Sequence, residues 1–197
     1  MRIKTSARLP VVQDDSYRGS GRVLVLGLGN ILCKDEGIGA RIAQKLQEMT
    51  LPWNIEVMDG GTAGLDVLLS VIDVDKLVVI DALRAGKKPG TIYKACLKID
   101  EKDKITQIFG QEEHLKMSLH QVGLFEAFGI AEKIGCAPRE IVIIGVEPGE
   151  IDYGLELTEQ VRRKLPKIIE KVLEEIRQKT EDRRQKSEDK GQKTGDK

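Results

Sequence analysis

The sequence lacks net charge, paired cysteines and long apolar runs, and each absence argues against a class of protein. Lys and Arg together number 32, as do Asp and Glu, so no net positive charge attracts a nucleic acid. The three cysteines are widely spaced without a CxxC pair, unlike a disulfide framework or a structural zinc site. No apolar run approaches the roughly 20 residues of a membrane span. We therefore expect a soluble, cytoplasmic protein that binds neither nucleic acid nor a membrane.

Histidine is scarce as well, which limits the hydrolytic chemistry that the chain can support. The only histidines are His114 and His120, so a three-histidine zinc site is excluded and no HExxH motif is present. None of the serines lies in a GxSxG motif. Catalysis by this chain must therefore depend on other residues.

The two ends of the chain differ from its middle. Residues 1–21 mix charged residues with Ser, Gly and Pro without periodicity, and we predict a flexible N-terminal arm. Residues 178–197 contain no apolar residue, so they cannot bury enough surface to offset the entropy of ordering. We predict a disordered charged tail there and one folded domain over residues 22–177.

Strand and helix patterns alternate through this domain. The runs "RVLVLGL", "KLVVIDAL" and "EIVIIGV" are continuously apolar, as in strands covered on both faces, whereas "TIYKACLKI" alternates like a more exposed strand. A short strand "IEVM" precedes the turn "DGGTAG". Apolar residues at helical spacing predict helices over 38–49, about 65–72, 118–134 and 158–176, with Ser118 and Thr158 as caps. These patterns predict an α/β three-layer sandwich, with a mostly parallel twisted sheet of about five strands and helices on both faces.

The loop "GLGNILCKDEGIG" after the first strand looks like a dinucleotide-binding turn but departs from it. Gly27 and Gly29 supply the first half of the motif, whereas Leu32 occupies the position of the third glycine. Asp35 and Glu36 would also repel a pyrophosphate at the helix N-terminus. A capping role for Asp35 is the simplest explanation of that residue, but it leaves Glu36 unassigned.

Three side chains are predicted to meet where the parallel strands end. Glu36 follows the first strand, Asp81 ends the second buried run, and His120 lies at the start of a helix that faces the same edge. Two carboxylates and one imidazole suit a borderline divalent metal such as nickel or zinc. Plain alternatives stay open, since an Asp at a strand end is often solvated and a single His is often a surface or core residue. A Cys33–His120–Asp81 nucleophilic triad is a further alternative, against simple packing of Cys33 in the turn.

Six motifs occur in order between about Arg22 and Ile176: "GLGNILCKDEGIG", "DGGTAG", "VVIDAL", "PGTIY", "SLHQVGL" and "IIGVEP". Together they resemble the hydrogenase maturation endopeptidases. The resemblance implies a protease that removes a C-terminal peptide from the precursor of a nickel-iron hydrogenase large subunit after nickel insertion. It also implies that Glu36, Asp81 and His120, in "DEG", "IDA" and "HQ", contact the metal. The two termini depart from the family pattern, and neither touches these motifs.

The resemblance further implies that nickel arrives with the substrate. Three protein ligands leave positions open on the metal, so nickel bound by substrate cysteines can be shared between the two proteins. The group that activates water is left open. Asp81 or Glu36 would do so in an aspartic-type protease, and the metal itself in a metal-assisted one. The oligomeric state is left open too.

The "DGGT" motif adds further candidates. Asp59 is a third candidate acid or base, and Gly60, Gly61 and Thr62 are candidate substrate-binding residues, because glycine lets a backbone approach a peptide closely. A plain strand-to-helix turn explains the motif equally well.

Two other functions compete with the protease. A peptidyl-tRNA hydrolase shares the "GLGN" opening, but the Pro after Asn, the following Tyr and the basic His-Asn motif of that family are missing. A non-enzymatic carrier of nickel or a nucleotide would bind its ligand without cleaving a protein.

Overall fold

A computed structural model gives the fold of the chain and describes residues 21–62, 74–98, 130–131, 133 and 137–177. The strands in these residues are β1 (Val23–Leu28), β2 (Ile55–Gly61), β3 (Lys76–Ala82), β4 (Ile92–Lys98) and β5 (Glu140–Val146). The helices are a 3-10 helix (Lys34–Gly37), α1 (Ile38–Gln47), α2 (Glu159–Arg162) and α3 (165–177).

The described strands form one sheet in the order β2-β1-β3-β5-β4, which is parallel except for the antiparallel pair of β4 and β5. The three continuously apolar runs are the central strands β1, β3 and β5, whereas the alternating segment is the edge strand β4. Val78 of β3, for example, pairs with Val25 on one side and Val142 on the other. The predicted mostly parallel sheet of about five strands is confirmed.

Both faces of the sheet are covered by apolar packing. On one face, Ile42 of α1 and Val172 of α3 pack in a cluster with Val25, Val78 and Val142. On the other face, Ala131 joins the leucines and valines that alternate with them along the strands. Ile130 and Ala131 are helical, within the helix predicted over 118–134. The three-layer arrangement predicted from the sequence is therefore confirmed.

The closing helix forms where predicted, but in two parts. Residues 163–164 form a turn between α2 and α3, because Pro166 has no N–H to donate to the carbonyl of Arg162 and its ring crowds that turn. Val161, Ile168 and Ile176 are buried as the helical spacing predicts. Thr158 is the N-cap residue of α2, but its side chain makes no capping hydrogen bond, contrary to our prediction.

Three boundaries differ from prediction. Strand β2 continues through Asp59 to Gly61, because β1 extends its pairing to Leu28 across an irregularity in register. Helix α1 ends at Gln47, which leaves Met49 exposed. Gly21 is buried and donates its N–H to Asp75 at 2.7 Å, so it packs with the domain rather than with the arm.

The predicted arm before Gly21, the helix over 65–72, most of the helix over 118–134 and the tail from residue 178 lie outside the described residues. Within the described part of the chain, no helix is long and apolar enough to cross a membrane.

Candidate functional site

The order of the strands creates a crevice between β1 and β3. The chain leaves β1 toward β2 on one side and leaves β3 toward β5 and β4 on the other, so the connections diverge at the carboxyl ends of these two neighbouring strands. Ligands of open α/β sheets bind at such a point. Glu36 lies in the 3-10 helix after β1, and Asp81 is the penultimate residue of β3. The topology thus brings these two predicted site residues to the same edge.

Glycines let the first turn of α1, directly after the loop that carries Glu36, lie against the ends of β1 and β3. A Cβ atom on Gly39 would lie 2.1 Å from the carbonyl oxygen of Ile80 and 2.3 Å from that of Leu28. A Cβ atom on Gly27 would lie 2.1 Å from the carbonyl oxygen of Gly39. Such distances exclude any side chain, so these glycines serve helix–strand packing. This packing role explains the glycine motif without a bound phosphate group.

Glu36 is half-buried beside Cys33. The Glu36 N–H donates to the carbonyl of Cys33 at 3.1 Å, and the Cys33 thiol hydrogen-bonds to the Glu36 carboxylate. Partial desolvation raises the pKa of the thiol, and the hydrogen bond and the negative charge of Glu36 raise it further. A thiol that stays protonated at neutral pH is a poor nucleophile, so this environment does not favour the cysteine triad.

Asp81 is fully buried at the end of β3. Its Oδ1 accepts the N–H of Ala82 at 2.8 Å, which fixes the orientation of the carboxylate. His120 lies outside the described residues, and in the described ranges no group of three or more His, Cys, Asp and Glu side chains is placed to hold a metal ion. The carboxylates of Glu36 and Asp81 are suitable oxygen donors for a divalent cation. The three-residue set therefore stays a prediction.

Asp35, beside Glu36, organises the site in a way that the sequence did not reveal. Neither the 3-10 helix nor α1 has a side-chain cap, so the predicted capping role of Asp35 is wrong. The carboxylate is fully buried and accepts four hydrogen bonds of 2.7 to 3.1 Å from Gly149 N–H, Glu150 N–H and the N–H and hydroxyl of Thr158. Asp35 thereby joins the Glu36 loop to residues 149–158.

A second buried carboxylate missed by sequence reasoning is Glu147, just after β5. It accepts hydrogen bonds from the Ala85 and Gly86 N–H groups at 2.9 and 3.1 Å and from the Tyr93 hydroxyl. Burial by itself would raise the pKa of Glu147, but these hydrogen bonds outweigh it and lower the pKa. Burial and the same carboxylate raise the pKa of Tyr93 to about 12. The only signal for Glu147 in the sequence is that an acidic residue follows a buried strand.

The "DGGT" residues lie at the end of β2, on the far side of β1 from Asp81. Asp59 is exposed, and its two oxygens accept hydrogen bonds from Gln44 at 2.8 Å and the Gly61 N–H at 3.0 Å. A Cβ atom on Gly60 would lie 2.8 Å from Leu26, so this glycine accommodates the protein's own core. Gly61 has φ +51° and open space around it, and Thr62 is exposed. Asp59 and Gly60 thus belong to the end of strand β2, and the catalytic role of Asp59 and the substrate-binding role of Gly60, Gly61 and Thr62 stay predictions.

An exposed apolar patch borders the Glu36 loop. It consists of Ile31, Leu32, Tyr153 and Leu155, whose exposed fractions run from 38% to 88%. The Gly154 N–H donates to the carbonyl of Leu32 at 2.9 Å, and the Arg41 guanidinium donates to the carbonyls of Ile31 and Leu155, so these hydrogen bonds hold the two loops together. Exposed apolar side chains gathered on a protein surface are typical of a macromolecular interaction site.

Comparison with known proteins agrees with this geometry. Residues 40–175 match the family described as HycI, hydrogenase maturation protease. The chain belongs to the hydrogenase maturation protease family. It is 35% identical to hydrogenase 2 maturation protease of Escherichia coli, over 80% of this chain and 92% of that protein. It is also 37% identical to the hydrogenase expression/formation protein HupD of Thiocapsa roseopersicina, over 82% and 70% of the two chains.

Solved structures of this family share the fold. The hydrogenase maturating endopeptidase HybD of Escherichia coli superposes with a TM-score of 0.69 at 33% identity, over 80% of this chain and 93% of that one. The HybD maturation protease of Thermococcus kodakarensis superposes with a TM-score of 0.62 at 28% identity, over 78% of this chain and 97% of that one. The resemblance inferred from the six motifs is confirmed, and the protein is a peptidase of the hydrogenase maturation type.

Proposed function

We propose that the protein removes the C-terminal extension from the precursor of a nickel-iron hydrogenase large subunit, and that it recognises nickel already inserted there. The observation that carries this proposal is the position of Glu36 and Asp81 at adjacent strand ends. They occupy the two motifs that the family resemblance assigns to metal contact. His120 completes the proposed set. Membership of the hydrogenase maturation protease family supports the reaction class.

The exposure of the two carboxylates separates their roles in this proposal. Asp81 is fully buried and held by the Ala82 N–H, so we assign it to metal contact. Glu36 is half-buried, so it is the carboxylate that meets water. As water adds to the scissile carbonyl carbon, Glu36 takes its proton, and the proton passes to the amide nitrogen when the C–N bond breaks.

The apolar patch supports a protein substrate rather than a small molecule. Leu32 and Tyr153 present exposed apolar surface next to the Glu36 loop, which suits contact with a folded partner. The locked loops that carry these residues need little reordering on binding, which reduces the entropic cost of association.

Incubation with nickel-loaded and nickel-free large subunit precursor tests the proposal, with the mass of the substrate as the measurement. We expect a mass loss at the C-terminus for the nickel-loaded form alone. Binding of nickel without any cleavage would favour the carrier. Release of peptide from peptidyl-tRNA would favour the RNA-directed hydrolase. Cleavage of both precursor forms at equal rates would contradict nickel recognition but retain the protease.

Two isosteric substitutions test the division of roles. Glu36→Gln is expected to lower kcat by about 10²- to 10⁴-fold. Asp81→Asn is expected mainly to weaken capture of nickel-loaded precursor, measured by co-purification. Asp152→Asn, an exposed change on the neighbouring loop, serves as the control. Loss of kcat in Asp81→Asn with capture intact, together with normal cleavage by Glu36→Gln, would reverse the assignment.

A further inference from the structure

A groove lined by lysines opens between the edge strand β4 and helix α3, apart from the Glu36 crevice. Its volume is about 610 Å³, and five of the residues that line it are Lys88, Lys94, Lys164, Lys167 and Lys171. No Asp or Glu is among the described residues that line it. Like charges gathered along a groove raise the local positive potential.

The fold brings these lysines together from separate segments of the chain. Lys167 and Lys171 are four residues apart, which places them on one side of α3, and Lys164 lies in the turn between α2 and α3. Lys88 lies in the turn before β4, and this turn packs on the turn before α3, since a Cβ atom on Gly90 would lie 2.7 Å from the side chain of Lys164. The two walls of the groove are therefore in contact at this end.

Carboxylates already neutralise part of the groove. Lys94 pairs with Glu175, and Lys171 pairs with Glu174 at 2.6 Å. Among the residues that the structure describes, Lys88, Lys164 and Lys167 have no ion-pair partner. The unpaired charges thus lie at the end of the groove near Gly90.

That end of the groove adjoins the candidate active site. Pro89 lines the groove, and a Cβ atom on Gly149 would lie 3.3 Å from Pro89 and 3.2 Å from the Asp35 carboxylate. Gly149 therefore lies between the groove and the residue that joins the Glu36 loop to residues 149–158. A polypeptide seated in the groove can continue to the carboxyl edge of the sheet.

We propose that this lysine groove binds an acidic segment of the protein substrate, a short extended stretch rich in Asp and Glu. This inference rests on the proposed function for the identity of the partner. The helical rise from Lys167 to Lys171 covers about 6 Å, the length of roughly two extended residues, and Lys164 extends the row of charges beyond the start of α3. The edge strand β4, paired only with β5 in the described sheet, adds backbone groups that an extended peptide can meet. Residues 178–197 do not have the composition of the proposed ligand, because basic residues outnumber acidic ones there.

Binding of a fluorescent octaglutamate peptide to the full chain, followed by anisotropy, tests the groove directly. Lys164→Glu/Lys167→Glu is expected to weaken binding by about ten-fold or more at low salt. The control Lys45→Glu/Lys133→Glu makes the same charge change at exposed positions away from the groove and should bind like the parent. Equal affinity of the two double variants, or no binding by the parent, would overturn the proposal. Circular dichroism confirms that each variant is folded.

An oligothymidylate of equal charge tests the competing partner class. If it binds the groove more tightly than octaglutamate, the partner is a nucleic acid and the acidic-peptide proposal is wrong.

With nickel-loaded precursor as substrate, the groove variant should raise KM by about ten-fold at unchanged kcat. An unchanged KM with normal cleavage would overturn the proposal that the groove binds the substrate, and it would leave the proposed function intact. Failure of the parent to cleave the precursor, with octaglutamate still bound, would instead overturn the proposed function and the identity of the partner.

Discussion

The Asp35 carboxylate accepts both the N–H and the hydroxyl of Thr158, which lies 123 residues further along the chain, at 2.8 and 2.7 Å. This pair joins the loop after the first strand to the start of the closing helix. It therefore sets the position of the loop that carries Glu36 relative to the loop that carries Tyr153 and Leu155.

Asp35→Asn should destabilise the domain. The amide group presents a donor where the buried carboxylate accepts, so at least one of the partners of Asp35 loses its hydrogen bond, at a cost of about 2 to 3 kcal/mol. For a domain of this size, thermal unfolding should occur roughly 5 to 10 °C lower. The control Asp152→Asn, at an exposed position of the connected loop, should shift the melting temperature by little. Equal melting temperatures for the two variants would contradict the structural role of Asp35.

His120→Ala should reduce processing of nickel-loaded precursor, because imidazole is the only nitrogen ligand proposed for the metal. His114→Ala is the matched control, since it removes the only other histidine of the chain. The measurement is the rate of C-terminal mass loss, with circular dichroism to confirm folding. If His120→Ala processes the precursor as fast as His114→Ala, the three-residue site is wrong.

Cys33→Ala should retain activity within a few-fold of the parent. The raised pKa of the thiol keeps it protonated, and its hydrogen bond to Glu36 makes it a neighbour of the site rather than a nucleophile. Cys96→Ala, which changes an exposed cysteine of β4, is the comparison. A loss of several orders of magnitude in kcat for Cys33→Ala alone would establish the cysteine mechanism instead.

Glu147 should make the stability of the fold depend on pH in the acidic range. Its folded pKa lies below the ordinary 4.5, so its ionised form stabilises the fold above pH 4.5. This contribution is lost as the pH falls from 4.5 through the lower folded pKa. Urea unfolding of the parent should therefore show a steeper loss of stability in this window than unfolding of Glu147→Gln. Parallel pH profiles for the two proteins would show that Glu147 does not contribute in this way.

Much of the fold could be predicted because its signals are local. The three continuous apolar runs identify the central strands, since only a strand buried on both faces tolerates apolar residues at every position. The alternation of "TIYKACLKI" likewise marks the edge strand β4. The break before α3 was also readable in principle, because Pro166 removes a donor regardless of its surroundings.

The sequence by itself determined the strands of the sheet, helix α1 and the strand ends that bring Glu36 and Asp81 to one edge, because periodicity and chain order act over short distances. Only the tertiary structure decided what Asp35, Glu147 and the lysines do. The partners of Asp35 and Glu147 lie far from them along the chain, and burial gives each carboxylate a role that its neighbours in sequence do not indicate. The lysine groove likewise exists because packing of the turn at Gly90 on Lys164 brings charges from separate elements together.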